Sequence, residues 1–155
     1  MAIAEPSVEQ FSNPVAKYVA ATRPPFLLAS LVPCLIGLAT AAYAGIELNW
    51  SHALMTIMGA VAVHAGVNVM NDYYDALNGT DEHNEERLFP FTGGSRFIQN
   101  GVLTGGETAR FGVSLLLGAA ILGLTLLPAA GPGLLGIGAA GLLIGWAYSA
   151  PPLAL

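Results

Sequence analysis

One stretch of this chain concentrates groups able to bind a cation or an anion: His64, Asn68, Asn71, Asp72 and Asp75. At about 100° per residue, with His64 at zero, Asn68 falls near 40°, Asn71 near −20°, Asp72 near 80° and Asp75 near 20°. All five share one helical face, an arc of about 100°. Two carboxylates three residues apart suit a hard divalent cation. Mg²⁺ prefers oxygen ligands and is commonly held by one or two carboxylates plus substrate phosphate. Asn71 adds a carbonyl ligand or orients the aspartates, and Asp81 extends the acidic series beyond the bend at Gly79. His64 reads more simply as a hydrogen-bonded packing residue. A solvated helix end accounts for Glu82, Glu85 and Glu86, but not for carboxylates aligned with Asn68 and Asn71.

A second group follows at Thr92-Gly93-Gly94-Ser95-Arg96. Paired glycines let backbone N–H groups converge on an anion. Ser95 adds a hydroxyl donor, and Arg96 has the fork geometry for a phosphate. Beside a cation site, such a group implies a diphosphate. Asn68, Asn71, Gly93, Gly94, Ser95 and Arg96 are thus candidates for holding it, and Asn71, Asp72, Asp75 and Asp81 for holding the metal. Arg23 is read equally well as a further phosphate ligand or as a membrane anchor, and Arg87 as an anchor.

These residues need a scaffold, and the composition says which kind. Of 155 residues, 54% are hydrophobic and 10% charged, whereas a soluble domain carries about 25% charged residues. No charge occurs between Pro24 and Ile46, between Leu48 and Asn71, or from Phe111 to Leu155. A bilayer-spanning helix takes about 20 apolar residues. Four spans are expected, at about 24–45, 51–72, 111–129 and 133–150, with the last two divided at Ala130-Gly131-Pro132-Gly133. Backbone groups in lipid must be satisfied internally, so the spans are helices, and the fold class is an all-α polytopic transmembrane bundle.

Residues 1–16 read as a polar, mobile lead, 17–155 as the membrane domain, and 76–105 as a functional loop. Lys17, Arg23, Arg87, Arg96 and Arg110, the only basic residues, all fall on one side. The positive-inside rule makes that side cytoplasmic, with the N-terminus inside. A net charge of −5 with six of ten acids in one segment gives no footing for nucleic acid. Cys34 stands alone inside the first span, which leaves no disulfide framework and no zinc cluster.

The run Asn71-Asp72-Tyr73-Tyr74-Asp75-Ala76-Leu77-Asn78-Gly79-Thr80-Asp81 resembles the first aspartate-rich motif of the UbiA-type intramembrane prenyltransferases. With Thr92 to Arg96, Arg23-Pro24 and Tyr148-Ser149-Ala150-Pro151-Pro152, it looks most like the 1,4-dihydroxy-2-naphthoate prenyltransferase branch. The resemblance covers the chain after residue 17. It implies a helical bundle of about nine spans, of which this chain supplies four. It also implies Mg²⁺, a polyprenyl diphosphate, an aromatic acceptor in menaquinone biosynthesis, a lipid bilayer, and an active site facing the cytoplasm of a bacterial inner membrane. By the same resemblance, Asp72, Asp75 and Arg96 are catalytic. The family's second aspartate-rich motif has no counterpart, because no Asp or Glu follows Glu107. The expectation is therefore a fragment, inactive alone, that needs a complementary C-terminal half. The competing readings are a transporter half, recognised by metal-independent flux, and a non-catalytic membrane subunit, recognised by failure to bind prenyl diphosphate.

Overall fold

The computed structural model describes residues 5–80 and 94–153. Local signals set each helix end. Asn13 accepts a hydrogen bond from the Val15 N–H at 2.8 Å and opens α1, Pro14–Ala21, with Pro14 in the first turn. Pro24 and Pro25 open α2, Pro24–Tyr43. Asn49 caps α3, Trp50–Asn78, by accepting from the His52 N–H at 3.0 Å, and Gly79 ends it at φ 78°. Thr104 and Glu107 form a reciprocal capping box at the start of α4, Gly105–Ala130. Gly131 at φ 80° separates α4 from α5, Gly133–Ser149. The described residues contain no strand.

Helices α2 to α5 lie along the four segments where spans were expected, with differences at their ends. At 1.5 Å per residue, α2, α3 and α4 reach about 30, 44 and 39 Å, enough to cross a hydrocarbon core about 30 Å thick. Helix α5 has 17 residues, and among the described residues only the other three are both long and apolar enough to cross by length and composition. Helix α3 continues past residue 72 to Asn78, and α4 begins at Gly105 rather than 111. In both places the helix outruns its apolar segment, because caps and side-chain hydrogen bonds carry it on. Trp50 and Tyr43, at adjoining ends of α3 and α2, are 75% and 95% exposed, as expected of aromatic residues at a membrane surface.

Helix α3 is the central element, packed most extensively on α4 and also on α2 and α5. Small residues permit the approach. A Cβ on Gly66 would meet Leu116 Cγ and Cδ2 at 2.8 Å, and one on Gly112 would meet Met70 Sδ at 2.7 Å. On α5, a Cβ on Gly145 would lie 2.6 Å from Val67 Cγ2, while Gly141 has open space. This is the close packing that membrane helices use in place of a hydrophobic driving force. The outward faces of α2, α4 and α5 carry exposed Leu28, Ile36, Leu117, Ile121, Leu143 and Ile144. Such a surface suits lipid rather than water.

At the polar end lies a separate small core of Ala21, Phe97, Val102 and Leu103, with Phe11, Tyr18 and Ala20 packed on it. The Phe11 and Phe97 rings are 5.5 Å apart between centroids. Asn100 Nδ2 donates to the Pro6 carbonyl at 2.8 Å. The described part of the lead is therefore docked against the segment after Ser95.

Candidate functional site

That small core determines where two site residues stand. Ala21 anchors the chain two residues before Arg23, and Phe97 anchors it two residues after Ser95. Pro24 disfavours the right-handed helical conformation at Arg23, which instead sits at φ 56° and ψ 63° between α1 and α2. A non-glycine residue held there costs about 1 kcal/mol or more. The Asn68 side-chain amide donates to the Thr22 carbonyl at 3.1 Å and ties this junction to α3.

Arg23 and Ser95 converge on Asp72, which is 3% exposed. The Arg23 guanidinium forms an ion pair with Asp72 Oδ1. The Ser95 backbone N–H donates to Oδ1 at 3.1 Å, and the Ser95 hydroxyl donates to Oδ2. Gly94 at φ 74° and Arg96 at φ 64° flank Ser95 in left-handed conformations. Within the Gly94-Ser95-Arg96 turn, Ser95 thus directs both its backbone N–H and its hydroxyl at Asp72.

Most of the polar stripe on α3 has named partners. His64 Nδ1 is 2.9 Å from Ser30 Oγ of α2, which agrees with a packing role. The Asn71 amide donates to Ser149 Oγ at 3.0 Å, on the last residue of α5. Among the described residues, no donor reaches its side-chain carbonyl oxygen. Asp75, half-buried, follows Asp72 one turn later on the same face. Tyr73 and Tyr74 stack edge to face at 5.3 Å. Tyr73 touches the Gly105 position, and Tyr74 lines a small crevice with Leu142, Trp146 and Ser149. Packing thus accounts for both rings.

Two carboxylates and an amide oxygen form a hard donor set that fits Mg²⁺, which keeps waters and accepts phosphate as a further ligand. No cluster of three or more His, Cys, Asp or Glu occurs among the described residues, so a closed protein cage is not formed there. Asp81 and Gly93 lie outside the described residues, as do Arg87 and Thr92. Beside Arg23, Gly94 and Ser95 opens a mainly apolar cavity of about 560 Å³, also lined by Val19, Phe26 and Phe97.

Sequence reasoning left Arg23 undecided and did not assign Ser149 to the site. The residue before Pro24-Pro25, forced out of helical geometry, was a signal for the first. The sole hydroxyl in the apolar run of α5 other than Tyr148 was a signal for the second.

The fold and site define an integral membrane helical bundle with Asp72, Arg23 and Ser95 gathered toward one end of its central helix. The UbiA prenyltransferase family profile matches residues 30–154, and the chain belongs to that family. Over 136 residues it is 34% identical to the 1,4-dihydroxy-2-naphthoate octaprenyltransferase of Mycobacterium tuberculosis, covering 86% of this chain and 43% of that protein. Its identity to the Mycobacterium leprae protein of the same name is 38% over 68 residues, covering 44% of this chain and 23% of that one. With the UbiA prenyltransferase domain-containing protein 1 of Xenopus tropicalis it shares 31% identity over 105 residues, covering 68% and 28%. The chain thus spans less than half the length of these relatives. No solved structure matches it significantly.

Proposed function

We propose that residues 17–155 form the first substrate-binding half of an intramembrane prenyltransferase. The reaction moves a polyprenyl group from its diphosphate to an aromatic acceptor, 1,4-dihydroxy-2-naphthoate. The observation that carries this reading is the convergence of Arg23 and Ser95 on buried Asp72 at the edge of an apolar cavity. Charged groups that grip a phosphate and an apolar volume that takes a chain then lie side by side. At about 560 Å³, the cavity falls within the usual range for small-molecule sites.

Asp72, Asp75 and the Asn71 carbonyl, with Asp81, would hold Mg²⁺, whose charge would offset that of the departing diphosphate. Asn68 positions the Arg23 junction through Thr22. Arg96, the Gly93 and Gly94 N–H groups and, once released from Asp72, the Ser95 hydroxyl would donate to the phosphate oxygens, where charge grows as the prenyl–oxygen bond breaks. The bond's electron pair leaves with the diphosphate. An electron-rich ring carbon then forms the new carbon–carbon bond, and the ring regains its aromaticity by releasing the displaced substituent, hydrogen as a proton or the carboxylate as carbon dioxide. The apolar helices hold the prenyl tail and keep water from the cationic prenyl group.

No Asp or Glu follows Glu107, so a second cation site would come from a complementary C-terminal half. The five basic residues on one side support a cytoplasmic N-terminus, and the similarity to two mycobacterial proteins supports a bacterial inner membrane. The experiment is an assay with polyprenyl diphosphate and 1,4-dihydroxy-2-naphthoate, using the chain reconstituted with that half. Prenylated product that forms with Mg²⁺ and disappears in Asp72→Ala and Asp75→Ala is the expected result. Near-normal turnover in both variants, or metal-independent solute flux through vesicles, overturns the assignment.

A further inference from the structure

The carboxylate best placed to hold a cation already holds one. Asp72 is 3% exposed, and both its oxygens are engaged, Oδ1 by Arg23 and Ser95 and Oδ2 by the Ser95 hydroxyl. Burying a carboxylate this deeply requires a counter-charge, and Arg23 supplies it. Its own position is not a restful one. Arg23 has a left-handed backbone, and its buried Nε has no hydrogen-bond partner among the described residues. Its side chain is 20% exposed, and the residue borders the 560 Å³ cavity, so the guanidinium has room to move.

We propose that Arg23 is the resident counter-ion of Asp72 and gives up that place when a divalent cation arrives with its anion. This rests on the reading of Asp72 as a cation ligand. A guanidinium and a divalent cation on one buried carboxylate repel each other, with little water to screen them. The cation must therefore displace Arg23, and an anion that accompanies the cation gives the freed guanidinium a new partner. Cation and anion then bind with positive coupling, because each removes the cost that the other would meet alone. Before they arrive, the Arg23–Asp72 pair closes the site with its charges matched.

The test is Mn²⁺ binding to the 155-residue chain in detergent, followed by electron paramagnetic resonance with and without inorganic pyrophosphate. Arg23→Gln should bind Mn²⁺ about tenfold tighter than the wild type when pyrophosphate is absent. Pyrophosphate should tighten binding to the wild type and narrow that gap, and Asp72→Asn should lose the site. Equal or weaker binding by Arg23→Gln, with wild-type binding still dependent on Asp72, overturns the counter-ion role and leaves the prenyltransferase reading standing. Undiminished binding by Asp72→Asn, or no binding by any form, overturns both. Should Arg23→Gln fail to fold, the NMR signal of the wild-type Arg23 Nε–H decides. It must shift when Mg²⁺ and pyrophosphate are added, and an unshifted signal overturns the proposal.

Discussion

Asn71 and Ser149 are 78 residues apart in the chain and meet at 3.0 Å, amide to hydroxyl. The contact joins the central helix to the last residue of α5 and fixes the Asn71 rotamer beside Asp72. Hydrogen bonds between membrane helices contribute about 0.6 kcal/mol on average. Ser149→Ala should therefore lower stability by about that amount. A double-mutant cycle with Asn71→Ala, read by thermal unfolding in detergent, should show the two losses to be non-additive. Additive losses would mean that the pair does not interact.

Asp72 and Asp75 should separate stability from chemistry. Asp72→Asn leaves Arg23 mostly buried beside a neutral partner and should destabilise the fold by about 3 kcal/mol. Asp75 is less buried than Asp72, so Asp75→Asn should cost less stability. In the reconstituted enzyme both substitutions should abolish Mg²⁺-dependent prenyl transfer. Thermal midpoints measured beside turnover test the contrast, which an equal loss of stability in the two variants would contradict.

The contact between α3 and α4 depends on glycine. In Gly66→Ala the new Cβ would stand 2.8 Å from Leu116 and 3.3 Å from the Gly112 carbonyl oxygen. Overpacking of this kind costs about 1–3 kcal/mol. Gly118→Ala, which meets nothing within 4 Å, is the matched control and should melt no lower than the wild type. Equal melting of the two variants would mean that the helices part without cost.

Removing the cation gives a fourth outcome. EDTA should stop prenyl transfer by the reconstituted enzyme, and added Mg²⁺ should restore it, since hard oxygen donors favour that ion. Turnover that persists through chelation would exclude the metal role of Asp72 and Asp75.

The cap of α4 offers a test away from the site. Thr104→Ala removes the hydroxyl that accepts from the Glu107 N–H at 3.2 Å, at a cost of about 1 kcal/mol. Mn²⁺ affinity should stay unchanged, and a change in affinity would show that the helix start and the site are coupled.

Much of this protein is written in short-range patterns. Uncharged runs of span length specify membrane helices whatever surrounds them, because the bilayer selects for apolar length. The placement of His64, Asn68, Asn71, Asp72 and Asp75 on one face follows from helical periodicity alone. Helix ends were less legible, since α3 and α4 extend beyond their apolar segments through caps and polar contacts that hydropathy does not register. The partners of the stripe were beyond local reading. Asp72 meets Arg23 across 49 residues and Ser95 across 23, while Asn68 meets Thr22 across 46. Those pairings depend on Ala21 and Phe97 sharing one small core, which brings the two turns to the same carboxylate. The sequence by itself determined a membrane bundle with a carboxylate stripe. Tertiary packing alone decided that Arg23 faces that stripe, because a buried charge takes the counter-charge that the fold sets within reach.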